Sequence, residues 1–137
     1  MRELHLGRLI DHVHLRARDL AATKRFYRAV LGALGKAIAA DDERHLNCDE
    51  LWIDALGEDR QSTTHVHLAF QAKDPDAVRR FHEAGLAAGG RDNGAPGERK
   101  YHPGYFAAFL LDPDGNNVEA VYHGPAQRSA DSVVIRA

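Results

Sequence analysis

The tetrapeptide HVHL occupies residues 12–15 and recurs, letter for letter, at residues 65–68. Each copy is followed within ten residues by an aspartate, Asp19 or Asp74, and then by a helix-like segment that reads DLAATKRFY or DPDAVRRFH. Internal self-similarity is the mark of a duplicated structural unit. The sequence therefore predicts two copies of one strand-and-helix module.

Each aspartate is predicted to start a helix, because its carboxylate can accept hydrogen bonds from the first free backbone amides. Pro75 stands at the first helical position, where its missing N–H costs nothing. We expect helices to begin at residues 20 and 75. Gly32 and Gly85 stand where C-terminal caps belong. Mostly apolar residues then fall on one face of each helix: Leu20, Thr23, Phe26, Tyr27, Val30 and Leu31, and Val78, Phe81 and Ala84.

Before each helix the apolar period changes to two, which predicts a strand. His12, His14 and Arg16 point to the face opposite Val13 and Leu15. Further strands are predicted at residues 36–40, 44–48, 50–56, 104–111 and 117–123, with a loop from Gly89 to Gly97. The segment DPDGN at residues 112–116 predicts a hairpin between the last two strands.

These elements predict an α+β fold of two βαβββ modules in one domain spanning residues 1–137. Module one covers about residues 8–57 and module two about residues 62–123. The tail, residues 124–137, ends in the apolar run 133–135. Such a run is exposed unless it joins a sheet edge or covers a partner chain, and we expect a homodimer contact.

The composition excludes several classes of partner. The chain has 137 residues, 18 Lys and Arg against 20 Asp and Glu, and nine His. No basic stripe suggests nucleic acid, and no apolar run suggests a membrane span or a signal segment. Cys48 has no partner for an intrachain disulfide, which favours the cytoplasm. We expect it to be a small buried residue.

The repeat, the helix text DLAATKRFYRAVLG and the hairpin text FLLDPDGNNVEAVYH resemble the vicinal oxygen chelate superfamily, which includes glyoxalase I, extradiol dioxygenases and bleomycin resistance proteins. The resemblance covers residues 8–123. It implies two modules whose curled mixed sheets surround a metal cup. It also implies one His ligand from the first strand of each module and a Glu from the last strand. At those positions stand His12, His65 and Glu119.

Matching strands of two pseudo-symmetric halves would bring these ligands together near the axis that relates the halves. Two imidazoles and a carboxylate suit Ni, Co, Zn, Mn or Fe(II) and leave positions open for substrate. Taken singly, a His on a strand is more often a core or surface residue. Aligning CDELWID with NVEAVYH makes Glu50 a possible fourth ligand and base, as in glyoxalase I. A solvated edge Glu is an equally good reading, and a slip by one residue would substitute Asp49.

Other residues on the predicted cup face are candidates for substrate contact. Extradiol dioxygenases of the superfamily generally place a Tyr where Phe109 stands, which disfavours that reaction. Tyr105 is positioned to hold a substrate oxygen or to take part in catalysis, and Tyr101 belongs to a loop that closes over the mouth of the cup or simply packs. His14, His67 and Arg16 are expected to bind substrate or to orient ligands.

The expected function is a glyoxalase-like metalloenzyme, a lyase or isomerase acting on a small molecule with vicinal oxygens. Glu119 or Glu50 would move the proton. Two alternatives remain open at this stage. One is a metal-free protein that sequesters an antibiotic or metabolite, and the other is a non-heme dioxygenase.

Overall fold

A computed structural model describes residues 3–6, 9–126 and 133–136 of the chain. It contains two helices and ten strands within those residues. In chain order they are β1 Glu3–Leu6, β2 Val13–Ala17, α1 Leu20–Ala33, β3 Ala40–Asp41, β4 His45–Cys48, β5 Leu51–Ala55, β6 His67–Gln71, α2 Pro75–Ala87, β7 Arg91–Glu98, β8 Phe106–Leu111, β9 Asn117–Tyr122 and β10 Val133–Arg136.

The two modules form two four-stranded mixed sheets with the same topology. The strand order is β2-β5-β4-β3 in module one and β6-β9-β8-β7 in module two. In each sheet the first strand of the module runs parallel to its last strand, and the other pairs are antiparallel. The predicted α+β fold of paired βαβββ modules is confirmed.

Both helices begin where the sequence predicts. Asp19 accepts a hydrogen bond from the backbone N–H of Ala22 at 3.1 Å, and Asp74 accepts one from Ala77 at 2.7 Å. Pro75 occupies the first turn of α2. The aspartate caps therefore fix the direction in which each chain segment leaves its first strand.

The helix ends lie beyond the glycines that the sequence suggested as caps. α1 and α2 continue through Gly32 and Gly85, and the left-handed residues that end them are Gly35 at φ 75° and Gly89 at φ 96°. Each end closes with the paired backbone hydrogen bonds of a Schellman motif, for which a glycine after the cap is preferred. The prediction of the C-terminal caps was therefore wrong by about one helical turn.

One hydrophobic core joins the two modules, because the helices pack on the inner faces of the sheets and against each other. The largest fully buried apolar side chains are Tyr27, Phe26, Phe81, Leu46, Ile53 and Leu110. Tyr27 donates a 2.7 Å hydrogen bond to Asp112, whose carboxylate also accepts from Asn116. Asn116 in turn accepts from the backbone N–H of Val66 at 3.0 Å. This buried network ties α1, the β8–β9 hairpin and the start of β6 together.

The segment predicted as a loop from Gly89 to Gly97 is mostly a strand. β7 pairs with β8 with two register shifts, around Gly94. It is the edge strand of its sheet, and an edge tolerates the glycines and Pro96 because only one side of the strand needs hydrogen bonds. The prediction of a loop, which rested on the Gly and Asn content of this segment, was therefore wrong.

The apolar tail adds a strand within the same chain. β10 pairs with β1 in an antiparallel ribbon, with Val134 opposite His5. Val134 is 41% exposed. The tail therefore joins a strand edge, one of the two outcomes that the sequence allowed. No helix among the described residues is long and apolar enough to span a membrane.

Candidate functional site

The outer face of the module-two sheet carries a row of side chains directed away from the core. The register places Ala69 of β6, Glu119 of β9, Phe109 of β8 and Gly94 of β7 side by side across the sheet. Their neighbours along the strands, such as Leu110, point into the core instead. We call the side of the sheet that bears this row the cup face. The predicted alternation of Tyr105 and Phe109 onto the face of Glu119 is confirmed.

Glu119 lies at the centre of the cup face and is only 2% exposed. His67 donates through Nε2 to Glu119 Oε1 at 2.8 Å, the tautomer that an acceptor carboxylate requires. The hydroxyl of Tyr105 donates to the other oxygen, Oε2. Both carboxylate oxygens thus have a partner, as burial of a polar group demands.

Tyr105 is held in its protonated form. Burial raises its pKa to about 12, and the hydrogen bond to Glu119 and the charge of that carboxylate add to the effect. A neutral phenol is a hydrogen-bond donor, so the hydroxyl keeps its orientation toward Glu119 over the physiological pH range.

His67, and not His65, reaches Glu119. The two HVHL copies are 53 residues apart, whereas the helix caps Asp19 and Asp74 are 55 residues apart. Because each helix follows its strand directly, the cap spacing sets the structural equivalence, and His12 corresponds to His67. His65 precedes β6 in a left-handed conformation at φ 60° and contacts Thr64 at 3.1 Å. The assignment of His65 to the ligand set is corrected on this ground.

Module one carries a different set of side chains on the equivalent face. At the same 55-residue spacing, His14 of β2 corresponds to Ala69 of β6. His14 pairs with Trp52 and Ala69 pairs with Glu119, so Trp52 occupies the position in module one that Glu119 occupies in module two. The Trp52 ring is 39% exposed and stacks on His45 at 4.1 Å between ring centroids. His14 contacts Asp54 at 2.7 Å.

Glu50 lies outside this face. It belongs to the turn between β4 and β5, where its carbonyl accepts from the N–H of Val13 at 2.7 Å. The alignment of Glu50 with Glu119 is therefore wrong, because the parallel register of β2 with β5 places Trp52 there. The neighbouring Asp49 occupies the same turn, in a left-handed conformation at φ 47°.

His12 directly precedes β2, and Arg16 lies within it. His12 is exposed and its Nδ1 lies 2.7 Å from Asp11. With that nitrogen as the donor, Nε2 carries the lone pair, the arrangement that carboxylates impose on metal-binding histidines. Arg16 lies 3.4 Å from Asp59 in the segment that links the modules.

The predicted loop with Tyr101 closes beside Tyr105. The ring of Tyr101, 74% exposed, packs edge-on against Tyr105 at 4.9 Å between centroids. His102 Nε2 lies 2.9 Å from His123 Nδ1. The sequence reading gave no role to this histidine pair, nor to Trp52, and Arg99 did not figure in it at all. His102, His123 and Arg99 are marked by their position beside Tyr105 or Phe109 rather than by any motif. Trp52 is marked by its equivalence to Glu119 in the strand registers.

The donors of the cup face fit two corners of a metal site. Ligands about 2.1 Å from a divalent ion at right angles are about 3 Å apart, which matches the 2.8 Å between His67 Nε2 and Glu119 Oε1. Across residues 9–126, however, no third His, Cys, Asp or Glu completes such a group. The predicted cluster of His12, His65 and Glu119 is therefore not assembled by the described part of a single chain.

A family model for the Glyoxalase/Bleomycin resistance protein/Dioxygenase superfamily matches residues 9–120. The chain belongs to this superfamily. The match covers both modules, so the resemblance inferred from the repeat and the hairpin is confirmed. No curated protein gives a significant match.

Solved structures of the superfamily share the fold. A glyoxalase/bleomycin resistance protein from Albidiferax ferrireducens is 30% identical, with a TM-score of 0.72 over 83% of this chain and 98% of that one. A glyoxalase-related enzyme from Fulvimarina pelagi is 22% identical, with a TM-score of 0.67 over 96% and 99%. A lactoylglutathione lyase from Agrobacterium tumefaciens is 20% identical, with a TM-score of 0.56 over 80% and 90%.

Proposed function

We propose that this chain is a metal-dependent enzyme of the glyoxalase type, a lyase or isomerase that moves a proton beside a carbonyl in a small substrate with vicinal oxygens. The observation that carries the proposal is Glu119, a carboxylate 2% exposed on the cup face and held by His67 and Tyr105. Burying a carboxylate on a face that points away from the core is costly. Such groups are concentrated at functional sites.

His67 and Glu119 would hold the ion, with His12 of a second copy as the third ligand. The second copy is needed because the described part of one chain brings only two donors together. Asp11 orients His12 for this role. Nitrogen and carboxylate donors accept Ni, Co, Zn, Mn or Fe(II), and the bound ion would act as a Lewis acid on the substrate carbonyl.

The side chains of the cup face have different roles in the proposed reaction. Glu119 is positioned to accept and return the proton, and Tyr105 fixes its Oε2 atom. With the ion bound, Nε2 of His67 would bind the metal in place of its hydrogen bond to Oε1. Phe109 lies between these groups and the rim, 6.1 Å from the His67 ring, and packs against the carbon skeleton of the substrate. Tyr101 stands at the edge of the cup face beside Tyr105. His14 and Arg16 belong to the strand that follows His12, so they would reach the substrate from the second copy.

Metal analysis of purified variants tests the ligand set. We expect one ion per chain in the wild type and loss of most of it in His67→Ala and His12→Ala. The matched control is His65→Ala, which changes the neighbouring histidine of the same repeat and should retain the metal. Retention in His67→Ala together with loss in His65→Ala would contradict the proposal.

A non-heme dioxygenase is the second candidate, and one observation favours it. Trp52 stands where a second carboxylate would be, which leaves two histidines and one carboxylate, the ligand set of many Fe(II) oxygenases. Phe109 supplies no hydrogen-bond donor, so we expect slow oxygen uptake with Fe(II) and catechols and faster turnover of hemithioacetals with Ni(II) or Co(II). The reverse order would make the dioxygenase the leading function. A wild-type protein without metal would favour sequestration of a small molecule.

A further inference from the structure

Arg99 extends the cup face beyond Phe109. It directly follows β7, and its backbone N–H donates to the carbonyl of Tyr105 at 2.9 Å. Its guanidinium carbon lies 5.4 Å from the centroid of the Phe109 ring. The side chain therefore lies over the cup face, on the side of Phe109 that belongs to β7.

Two backbone carbonyls and two glycines hold the guanidinium in place. Nη2 donates to Ala95 O at 2.7 Å and Nη1 donates to Glu98 O at 3.3 Å. A Cβ atom at Gly97 would lie 3.1 Å from Nη1, and one at Gly94 would lie 3.4 Å from Nη2. Larger residues at these positions would crowd the guanidinium. Two of its five N–H donors are used, which leaves enough for a bidentate bond to a carboxylate.

Among the described residues, no carboxylate lies within 4.0 Å of the Arg99 guanidinium. Two other arginines, Arg16 and Arg79, each have such a partner. Arg16, on module one, pairs with Asp59 at 3.4 Å. Arg79 also lies over an aromatic ring, that of Phe106 at 5.0 Å, but it pairs with Asp76 at 2.7 Å. A fixed guanidinium that lies over an aromatic ring and lacks an acidic partner is suited to binding an anion.

We propose that Arg99 binds a carboxylate of the substrate, at the end remote from the oxygens that Glu119 and His67 address. Phe109 lies between the two ends, 6.1 Å from the His67 ring and 5.4 Å from the Arg99 guanidinium. A short apolar spacer running alongside the phenyl ring would join them. The substrate class is then a small oxo or hydroxy acid with a second, distal carboxylate. The placement of the vicinal oxygens at Glu119 and His67 rests on the proposed function, whereas the binding of a carboxylate by Arg99 does not.

Two probes that differ only at the distal end test this site by calorimetric titration. α-Ketoglutarate carries a distal carboxylate, and α-ketovalerate carries a methyl group in its place. We expect the wild type to bind α-ketoglutarate about tenfold more tightly, the size of a charge-assisted hydrogen-bonded pair. Arg99→Gln should bind both probes equally, and Arg99→Lys should recover part of the preference. Arg79→Gln is the matched control and should behave as the wild type.

The titrations are run with a chelator and again with Co(II), and thermal melts verify that each variant is folded. Equal affinities in the wild type, a preference that persists in Arg99→Gln, or no binding of α-ketoglutarate would overturn the proposal. The effect of Co(II) on α-ketovalerate reports separately on the proposed function. If Co(II) changes nothing while the Arg99 preference holds, the metal chemistry fails and the carboxylate site stands.

Discussion

Replacing Gly85 with alanine should destabilise the protein, although the same change stabilises most helices. Gly85 lies inside α2, where the helix meets β8. A Cβ atom built there lies 2.2 Å from Leu110 Cδ1 and 2.9 Å from Val30 Cγ1. Ordinary carbon contacts are about 3.5–4.0 Å, so α2 must move away from the sheet or both side chains must leave their rotamers.

The expected magnitude follows from two opposing effects. Overpacking of a core costs about 1–3 kcal/mol, and the higher helix propensity of alanine returns about 1 kcal/mol. Because the 2.2 Å approach to Leu110 lies far inside van der Waals contact, the cost falls in the upper part of its range. The net loss is then about 1–2 kcal/mol, which lowers Tm by roughly 4–10 °C for a domain of this size. Leu110 follows Phe109 in β8, so a shift of Leu110 should also disturb Phe109 and weaken binding at the cup face.

Urea and thermal unfolding measure the change, and Gly32→Ala provides the matched control. Gly32 lies inside α1, and a Cβ atom there meets nothing within 4 Å. It should stabilise the protein by up to about 1 kcal/mol. Equal stability of the two variants would refute the close packing of α2 on β8.

Three further predictions concern groups outside the cup face. Tyr27→Phe removes the buried 2.7 Å hydrogen bond to Asp112 and should cost about 1.5–3 kcal/mol in urea unfolding; an unchanged midpoint would contradict this. Burial raises the pKa of Cys48 to about 11, so a disulfide reagent should modify it far faster in urea than in the native protein. Hydrogen bonds from Arg28 and then Lys24 lower the pKa of Asp41. The wild type should therefore exceed Asp41→Asn in stability at neutral pH and lose that advantage progressively as the pH falls below about 4 toward the lowered pKa of the folded state; a constant difference would count against the ion pair.

The sequence predicts the fold well because its strongest signals are local. The caps Asp19 and Asp74 and the hairpin at residues 112–116 act over a few residues, and the period of two assigns Phe109 and Glu119 to one face. β7 was missed because an edge strand accepts Gly and Pro that a central strand excludes. No local pattern reveals the β1–β10 pairing, since it joins segments from opposite ends of the chain.

The candidate site was predicted only in part. The repeated HVHL motif gave the wrong equivalence between the two modules, whereas the distance of each residue from its helix cap gives the right one. The second HVHL copy directed attention to His65, while counting seven residues back from Asp74 leads to His67. A separate misalignment, of CDELWID with NVEAVYH, matched Glu50 with Glu119, where the strand registers place Trp52 instead. Arg99 lacked any motif, because its position depends on glycines that leave room for a side chain from the following loop.

Mixing two metal-deficient variants tests the central claim, that one site draws residues from two copies, most directly. His12→Ala and Glu119→Gln are denatured together in equal amounts, refolded and analysed for bound metal. With a shared site, half of the two-fold dimers pair one variant with the other, and each such dimer holds one intact site, so metal returns to about one quarter of the wild-type content. If His12, His67 and Glu119 serve a site within a single chain, every site lacks a ligand and the mixture stays as empty as its components. Metal content at that baseline would contradict the account.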